Sequence, residues 1–204
     1  SVVASPENSG AVVSWTAPDS GGSTITGYKV TAEPGGATCT TASTSCTVVG
    51  LTNGTAYTFS VVATNEAGDG PAATSTAATV TPRTTPGAPT AVSGVGGNTQ
   101  VTVSWTAPSN SGGSAITGYT VTATPGGATC TTTSTSCTVV GLTNGTAYTF
   151  SVVATNEAGD GPAATSTAAT VTPRTTPGAP TAVSGVGGNT QVALSWTAGG
   201  TGGS

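Results

Sequence analysis

The chain has 204 residues, only 5% of them charged, and a formal net charge of −4. A nucleic-acid-binding surface needs several clustered basic side chains, whereas the bases Lys29, Arg83 and Arg174 lie far apart in sequence, so we expect no nucleic-acid partner. Because no apolar run approaches the roughly 18 residues of a membrane-crossing helix, we also expect no membrane span.

The first part of the chain predicts three β-strands. Residues 1–4 form a short first strand, and residues 11–16 form a second strand that buries Trp15. After a Gly-rich turn, residues 25–32 form a third strand with Tyr28 directed inward. The second and third strands are indicated by apolar residues at every second position, the period of a strand with one buried face.

Residues 46–71 predict a corner followed by a long strand. A short strand that ends at Leu51 leads into an Asn-Gly pair, which favours a tight reversal of the chain. Large apolar residues then alternate from Tyr57 through Phe59, so one face of the long strand is buried. We expect the Tyr57 ring to pack in the core and its hydroxyl to bond to backbone near the turn, because an unpaired buried hydroxyl is costly.

The long strand is followed by a loop and a final strand. Residues 65–71, which are rich in Gly, predict an open, solvated loop. Residues 73–81 predict the last strand, on which Ala78 and Val80 face inward, and Pro82 ends it. No segment shows helical periodicity.

The four cysteines form two pairs with the same spacing, Cys39/Cys46 and Cys130/Cys137, and Cys39 lies on a predicted short strand, residues 38–41. Each pair flanks a Thr/Ser-rich loop and the chain has no His, so the pattern favours a local disulfide over a zinc site, with free buried thiols as the alternative. Closing a loop of about eight residues contributes roughly 2–3 kcal/mol in the chain-entropy account. Disulfides predict an oxidising compartment, hence secretion or the cell surface.

The sequence repeats itself almost without change. Residues 37–100 and 128–191 differ at a single position, and Trp15, Trp105 and Trp196 mark two complete repeats and the start of a third. We predict the following domain organisation: a first repeat over 1–82, a Pro-rich linker over 83–89, a second repeat over 90–173, a Pro-rich linker over 174–180, and a partial third repeat with two strands over 181–204.

The predicted strands carry an ordered set of residues. Trp15 on the second strand is followed by a Pro, the third strand carries Ile-x-x-Tyr-x-Val, and the corner and long strand carry Leu-x5-Tyr-x-Phe-x-Val. In this order they resemble the fibronectin type III domain. The resemblance implies an all-β fold of tandem seven-stranded immunoglobulin-like sandwiches, strands A-B-E against C-C′-F-G, usually in extracellular arrays, although many members lack the Cys pair. The predicted structural core comprises Trp15, Tyr28, Leu51, Tyr57, Phe59, Trp105, Tyr119, Leu142, Tyr148 and Phe150.

Candidate chemistry is sparse, and we predict no catalytic, cofactor-binding or metal-binding residue. Residues 67–69, Ala-Gly-Asp, stand where some members of the family carry an integrin-binding Arg-Gly-Asp, but the Arg is missing. Glu66 and Asp69 offer too few neighbouring oxygen ligands for more than a weak calcium site.

Residues 53–55, Asn-Gly-Thr, match the N-glycosylation acceptor, but their role in a turn explains them without a glycan. Outward Thr and Ser residues leave O-glycosylation as an alternative to ordinary strand propensity.

The eight-residue stretches 82–89 and 173–180, which are each linker with the residue before it, contain three prolines each, and these favour an extended, semi-rigid connector. We expect the linkers to act as spacers and the repeats to sit end to end. The near-identity of the repeats and the Gly/Thr/Ala-rich composition are similar to those of bacterial secreted proteins.

We therefore predict a non-catalytic extracellular structural protein, such as a rigid stalk, a spacer, or a filament-forming or adhesion array. The alternative is an accessory module, binding carbohydrate or protein, of a secreted polysaccharide-degrading enzyme. Cell-surface glycans or proteins are candidate partners. In residues 181–204, Val183, Val192, Leu194 and Trp196 face a core that this segment lacks. Either the chain is part of a longer array, or this segment docks on a neighbouring molecule and drives self-association into filaments.

Overall fold

The computed structural model of the chain describes residues 1–75, 79–166 and 170–203. The regular elements in these ranges are all β-strands. The described residues contain no helix that is long and apolar enough to cross a membrane. In chain order the strands are β1 Val2–Glu7, β2 Gly10–Trp15, β3 Gly27–Glu33, β4 Thr38–Thr41, β5 Ser45–Val49, β6 Thr58–Asn65, β7 Gly68–Asp69, β8 Ala73–Thr74, β9 Thr90–Gly97, β10 Gln100–Thr106, β11 Gly118–Thr124, β12 Thr129–Thr132, β13 Ser136–Val140, β14 Thr149–Asn156, β15 Gly159–Asp160, β16 Ala164–Thr165, β17 Thr181–Gly188 and β18 Gln191–Thr197.

The first repeat folds as two antiparallel sheets. One has the strand order β1-β2-β5, and the other has the order β4-β3-β6-β7, with β8 also paired to β6. These are the two sheets that the family resemblance implies, and the predicted fold class is confirmed. Apolar residues at every second position of β2, β3 and β6 point between the sheets and form one core.

Strand ends differ from the prediction by a few residues. The first strand runs on to Glu7, beyond the predicted residues 1–4, because it pairs with β2 along its whole length. In the described part of the predicted last strand, residues 73–75 and 79–81, β8 is a strand and Val80 forms an isolated bridge to Tyr57. Ala78, with its predicted inward orientation, lies outside the described residues.

The loop after β6 is folded into a small hairpin. Strand β7 turns back and pairs with β6 at Thr64 and Asn65. The Thr64 hydroxyl donates to Asp69 Oδ1 at 2.6 Å, and the Ala67 amide donates to Asn65 Oδ1 at 2.9 Å. Short polar side chains close this loop, so the prediction of an open loop is wrong, whereas residues 66–71 are exposed to solvent as predicted.

The second repeat forms the same two sheets, with the orders β9-β10-β13 and β12-β11-β14-β15, and β16 also pairs with β14. The register is preserved: Val103 lies opposite Cys137 as Val13 lies opposite Cys46. In the third repeat the described strands are β17 and β18, which pair with each other and leave their apolar side chains exposed.

Packing divides the chain into two compact units whose limits do not follow the repeat boundaries. Two loop segments of the second repeat belong to the first unit, together with the first repeat and the linker up to residue 87. The first unit comprises Ser1–Gly87, Asn110–Thr117 and Thr155–Asp160, and the second comprises Ala88–Ser109, Gly118–Ala154 and Gly161–Ser204.

Candidate functional site

The predicted core residues lie in the interiors of the two sandwiches. Trp15 on β2 packs against Tyr28 on β3 with ring centroids 5.2 Å apart, and Trp105 and Tyr119 repeat this contact at 5.3 Å. Their rings are therefore structural and are not available for binding at the surface. The residues of this set found buried are Trp15, Tyr28, Leu51, Tyr57, Phe59, Trp105, Tyr119, Leu142, Tyr148 and Phe150.

The tyrosine hydroxyls bond to the corners that precede the long strands. The Thr52 amide donates to the Tyr57 hydroxyl at 3.0 Å, and the Thr143 amide donates to the Tyr148 hydroxyl at 3.0 Å. The predicted hydrogen bond between Tyr57 and backbone near the turn is therefore confirmed. Each bond satisfies a backbone donor where the chain passes from one sheet to the other.

Each cysteine pair is joined by a disulfide, Cys39 with Cys46 and Cys130 with Cys137, and no cysteine is free. Cys39 lies on β4 and Cys46 lies on β5, which are edge strands of the two different sheets. The bond thus links the sheets at one side of the sandwich. Its position gives it a structural role and leaves no thiol for chemistry.

The Asn53 side chain is held by residues at the turn between β1 and β2. Asn53 Oδ1 accepts a hydrogen bond from the Ser9 amide at 2.8 Å, and Asn53 Nδ2 donates to Asn8 Oδ1 at 2.9 Å. Asn144 makes the corresponding contacts in the second repeat. The amide of this Asn-Gly-Thr sequence is thus engaged in the fold, in keeping with the predicted turn role.

A cleft of about 400 Å³ lies on the first repeat beside the β6–β7 hairpin. Its walls include residues 18–21, from the turn after β2, and residues 67–71. Asn65 joins the two walls: its Nδ2 donates to the Ser20 carbonyl oxygen at 2.9 Å and to the Ser23 carbonyl oxygen at 3.4 Å. The two walls are turns that contain several Ser, Ala and Gly residues.

The cleft carries two carboxylates, since Asp19 and Asp69 are among its lining residues. Glu66 and Asp69 are exposed, and the Asp69 carboxylate accepts a hydrogen bond from Thr64. In the described ranges no three His, Cys, Asp or Glu residues are grouped so that they could hold a metal ion. Its lining also includes the apolar residues Pro18, Ile25 and Pro71, and Asn65 contributes a side-chain amide.

The corresponding cleft of the second repeat lies in the part of the chain that packs within the first compact unit, and there it holds the linker. Asn156 Nδ2 donates to the carbonyl oxygens of Ser111 and Thr84, both at 2.8 Å. The Arg83 guanidinium forms an ion pair with the Glu157 carboxylate at 3.0 Å. The linker residues next to the first repeat are therefore fixed by specific contacts.

Sequence reasoning missed the role of Asn65 and Asn156. A usable signal was present, because this Asn is the last residue of each long strand and each repeat also carries a Gly-Gly pair in the turn that the Asn contacts. The contact joins residues about 45 positions apart, beyond the reach of turn and strand patterns.

The sequence profile of the fibronectin type III domain matches residues 1–80 and 85–171. The chain belongs to the fibronectin type III family. Fibronectin type III domains are in general non-catalytic.

Curated relatives with fibronectin type III sequences include two bacterial enzymes. Endoglucanase B of Cellulomonas fimi is 38% identical over 174 residues, which are 78% of this chain and 16% of that protein. Chitinase A1 of Niallia circulans is 40% identical over 144 residues, which are 67% of this chain and 20% of that protein. The chain thus spans a fifth or less of the length of each relative.

A solved structure shares the fold. The crystal structure of domains A168-A170 from titin matches 78% of this fibronectin type III chain, and the match covers 57% of the titin chain. The TM-score is 0.51 and the sequence identity is 22%, a likeness that shows the fold alone.

Proposed function

We propose that this chain is a non-catalytic spacer of tandem fibronectin type III domains within a secreted polysaccharide-degrading protein. The observation that carries the proposal is the similarity to Endoglucanase B and Chitinase A1, in which the matched segment is 16% and 20% of the length. The two names denote enzymes for different polysaccharides. A segment common to both favours a role that does not depend on one substrate.

The surface of the two complete repeats favours a spacer over a carbohydrate-binding module. Their Trp, Tyr and Phe side chains are all buried, whereas small-ligand sites are typically lined by accessible aromatic and apolar side chains. Trp196, in the partial third repeat, is 59% exposed. The two disulfides support a location outside the cell, where such bonds persist.

A sedimentation assay with insoluble polysaccharide tests the spacer role. The chain is mixed with microcrystalline cellulose or with chitin, and the protein in the pellet and the supernatant is measured. We expect it to stay in the supernatant with both. Retention that persists in the Trp196→Ala variant would contradict the spacer role and favour the carbohydrate-binding alternative, because the variant removes the exposed Trp as a source of non-specific adsorption.

Self-association is a second candidate, favoured by the exposed face of residues 181–204. Val192 and Leu194 on β18 are 63% and 62% exposed, whereas the corresponding Val101 and Val103 on β10 are fully buried. An apolar face of this kind on a two-stranded sheet is a surface that another sheet would cover. In this candidate function the face docks on a second copy of the chain, and successive head-to-tail contacts build a filament.

Deletion of residues 182–204 tests this candidate. Light scattering at increasing protein concentration should show assemblies for the full chain and monomers for the deletion variant, while circular dichroism shows that both complete repeats remain folded. If the full chain and the deletion variant form assemblies with the same number of chains, self-association through this face is excluded and the spacer role stands without it.

A further inference from the structure

The turn that lines the cleft of the first repeat has the same construction in the second repeat. Asp19 Oδ1 accepts a hydrogen bond from the Gly21 amide at 2.8 Å, and Asn110 Oδ1 accepts one from the Gly112 amide at 2.8 Å. Both glycines have positive φ, 66° and 77°, so the two turns follow nearly the same backbone path. The turn is thus shaped by its own residues in each repeat.

The Asn that ties this turn to the hairpin is also equivalent. Asn65 Nδ2 donates to the Ser20 carbonyl oxygen at 2.9 Å, and Asn156 Nδ2 donates to the Ser111 carbonyl oxygen at 2.8 Å. One N–H of each amide is therefore used inside the repeat. The second N–H is directed to different acceptors in the two repeats.

In the second repeat the cleft holds the linker as a short extended segment, and all of these residues belong to the first compact unit. The Thr84 amide donates to the Gly112 carbonyl oxygen at 2.8 Å, and the Gly87 amide donates to the Asn110 carbonyl oxygen at 2.9 Å. The second N–H of Asn156 donates to the Thr84 carbonyl oxygen at 2.8 Å, and the Asn156 residue is only 4% exposed. The linker backbone thus meets both a turn and a buried side-chain amide.

The second linker makes the same pairing, inside the second compact unit. The Thr175 amide donates to the Gly202 carbonyl oxygen at 2.8 Å, and the Gly178 amide donates to the Gly200 carbonyl oxygen at 2.9 Å. Two independent linkers therefore use one pattern of backbone hydrogen bonds, in which the first Thr of Arg-Thr-Thr-Pro-Gly pairs with a Gly of the next turn.

In the first repeat the same cleft is open. A Cβ on Gly112 would overlap the Thr84 carbonyl oxygen, whereas a Cβ on Gly21 would meet nothing within 4 Å. Asn65 is only partly buried, and its second N–H makes a long bond of 3.4 Å to the Ser23 carbonyl oxygen. The first repeat therefore presents the same turn and the same Asn donor beside an accessible cleft of about 400 Å³.

We propose that the open cleft of the first repeat binds an extended Arg-Thr-Thr-Pro-Gly segment when such a linker is joined directly to the start of the repeat, as the two linkers of this chain are joined to the second and third repeats. The amide of the first Thr donates to the Gly21 carbonyl oxygen, and Asn65 Nδ2 donates to the carbonyl oxygen of that Thr. The guanidinium of the segment pairs with Glu66 as Arg83 pairs with Glu157. The Pro residue restricts the free segment to extended conformations, which reduces the entropy lost on binding.

Amide hydrogen exchange on an extended chain tests the proposal. A second copy of residues 82–90 is fused to the N-terminus so that it directly precedes Ser1, and exchange is followed residue by residue by NMR. The amide of the added first Thr should exchange about tenfold or more slowly than in an unstructured peptide, close to the rate of Thr84 itself. The side-chain amide signals of Asn65 should shift relative to the chain without the addition.

Two variants provide the controls. Gly21→Ala in the extended chain should restore fast exchange at the added Thr, since its Cβ would overlap the bound segment, and Gly112→Ala should do the same at Thr84. Without the addition, Gly21→Ala should leave the exchange of Thr84 unchanged.

The proposal is overturned if the added Thr exchanges at the free-peptide rate, if Gly21→Ala leaves its slow exchange intact, or if Thr84 itself exchanges freely. None of these readouts depends on polysaccharide binding, so this test and that of the spacer role can fail separately.

Discussion

Single polar residues in this chain act mainly by satisfying backbone groups that no strand ladder can reach. The Tyr57 hydroxyl accepts a hydrogen bond from the Thr52 amide, and Asn53 Oδ1 accepts one from the Ser9 amide. Both amides lie in turns between strands, so neither has a partner in a ladder. The bond to Tyr57 is partly buried and the bond to Asn53 is exposed, so the loss of the first should cost more, because an unpaired N–H is costly where water cannot replace its partner.

The Tyr57→Phe variant should keep the fold and lose about 1–3 kcal/mol of unfolding free energy. The substitution removes the acceptor of the Thr52 amide and preserves the buried ring. Urea denaturation followed by fluorescence gives the free energy of unfolding of the variant and of the unmodified chain.

The matched control for this prediction is Tyr28→Phe. Tyr28 is equally buried at 7%, but its hydroxyl makes no hydrogen bond to the residues that the structure describes. We expect this variant to lose less stability than Tyr57→Phe. Equal midpoints for the two variants would show that the bond to Thr52 contributes nothing measurable.

At the scale of elements, the disulfides act on the strands that the sheets hold least firmly. Among the described strands, β4 pairs only with β3 and β5 pairs only with β2, so each lies at the edge of its sheet there. Their short loop passes between the two sheets, and the Cys39–Cys46 bond closes it. The bond stabilises the fold largely by restricting the unfolded chain, because it removes conformations that the open loop would visit.

Replacing both Cys39 and Cys46 by Ala should lower the unfolding free energy by about 2–3 kcal/mol, the loop-closure contribution for some eight residues. Denaturant titration measures this change. When dithiothreitol is added, the denaturation midpoint of the unmodified chain should fall toward that of the variant. In the variant, dithiothreitol should not change the unfolding of the first repeat, because the Cys39–Cys46 bond is already absent. Non-reduced peptide mapping by mass spectrometry should show the two local pairs, and four alkylatable thiols in native protein would contradict the assignment.

At the scale of the whole molecule, the same strand has different surroundings in different repeats. Val101 on β10 is fully buried, whereas Val192 at the corresponding position of β18 is 63% exposed. Burial here depends on the second sheet, which covers β10 and is absent from the described part of the third repeat. The contribution of an identical side chain to stability should therefore differ between the repeats.

We expect Val101→Ala to lower the unfolding free energy by about 2 kcal/mol, through lost apolar burial and the cavity left behind. Val192→Ala should change it by less than about 0.5 kcal/mol, as is usual for exposed positions. The two variants carry the same chemical change and are compared by thermal and urea denaturation. A cost at Val192 as large as at Val101 would mean that the face of β18 is covered in solution.

Much of the fold follows from the sequence by itself. The alternation around Trp15 and Tyr28 predicts strands with one buried face, and the Leu51–Tyr57 spacing predicts the corner between sheets. The spacing of the cysteines indicates the local disulfides, because each pair closes a short loop. These features are short-range: the period of a strand, the φ preference of Gly and the closure of a small loop are properties of neighbouring residues.

Only the tertiary structure decided how residues distant in sequence meet. Asn65 reaches the turn at Ser20, Asn156 reaches both its own turn and Thr84, and the loop after β6 closes as a hairpin. Hydrophobic periodicity does not specify which carbonyl oxygen accepts a hydrogen bond from a side-chain amide, because that depends on how the two sheets pack. The different burial of Val101 and Val192 has the same origin, because a strand pattern specifies the face to be covered while the opposing sheet determines whether it is covered.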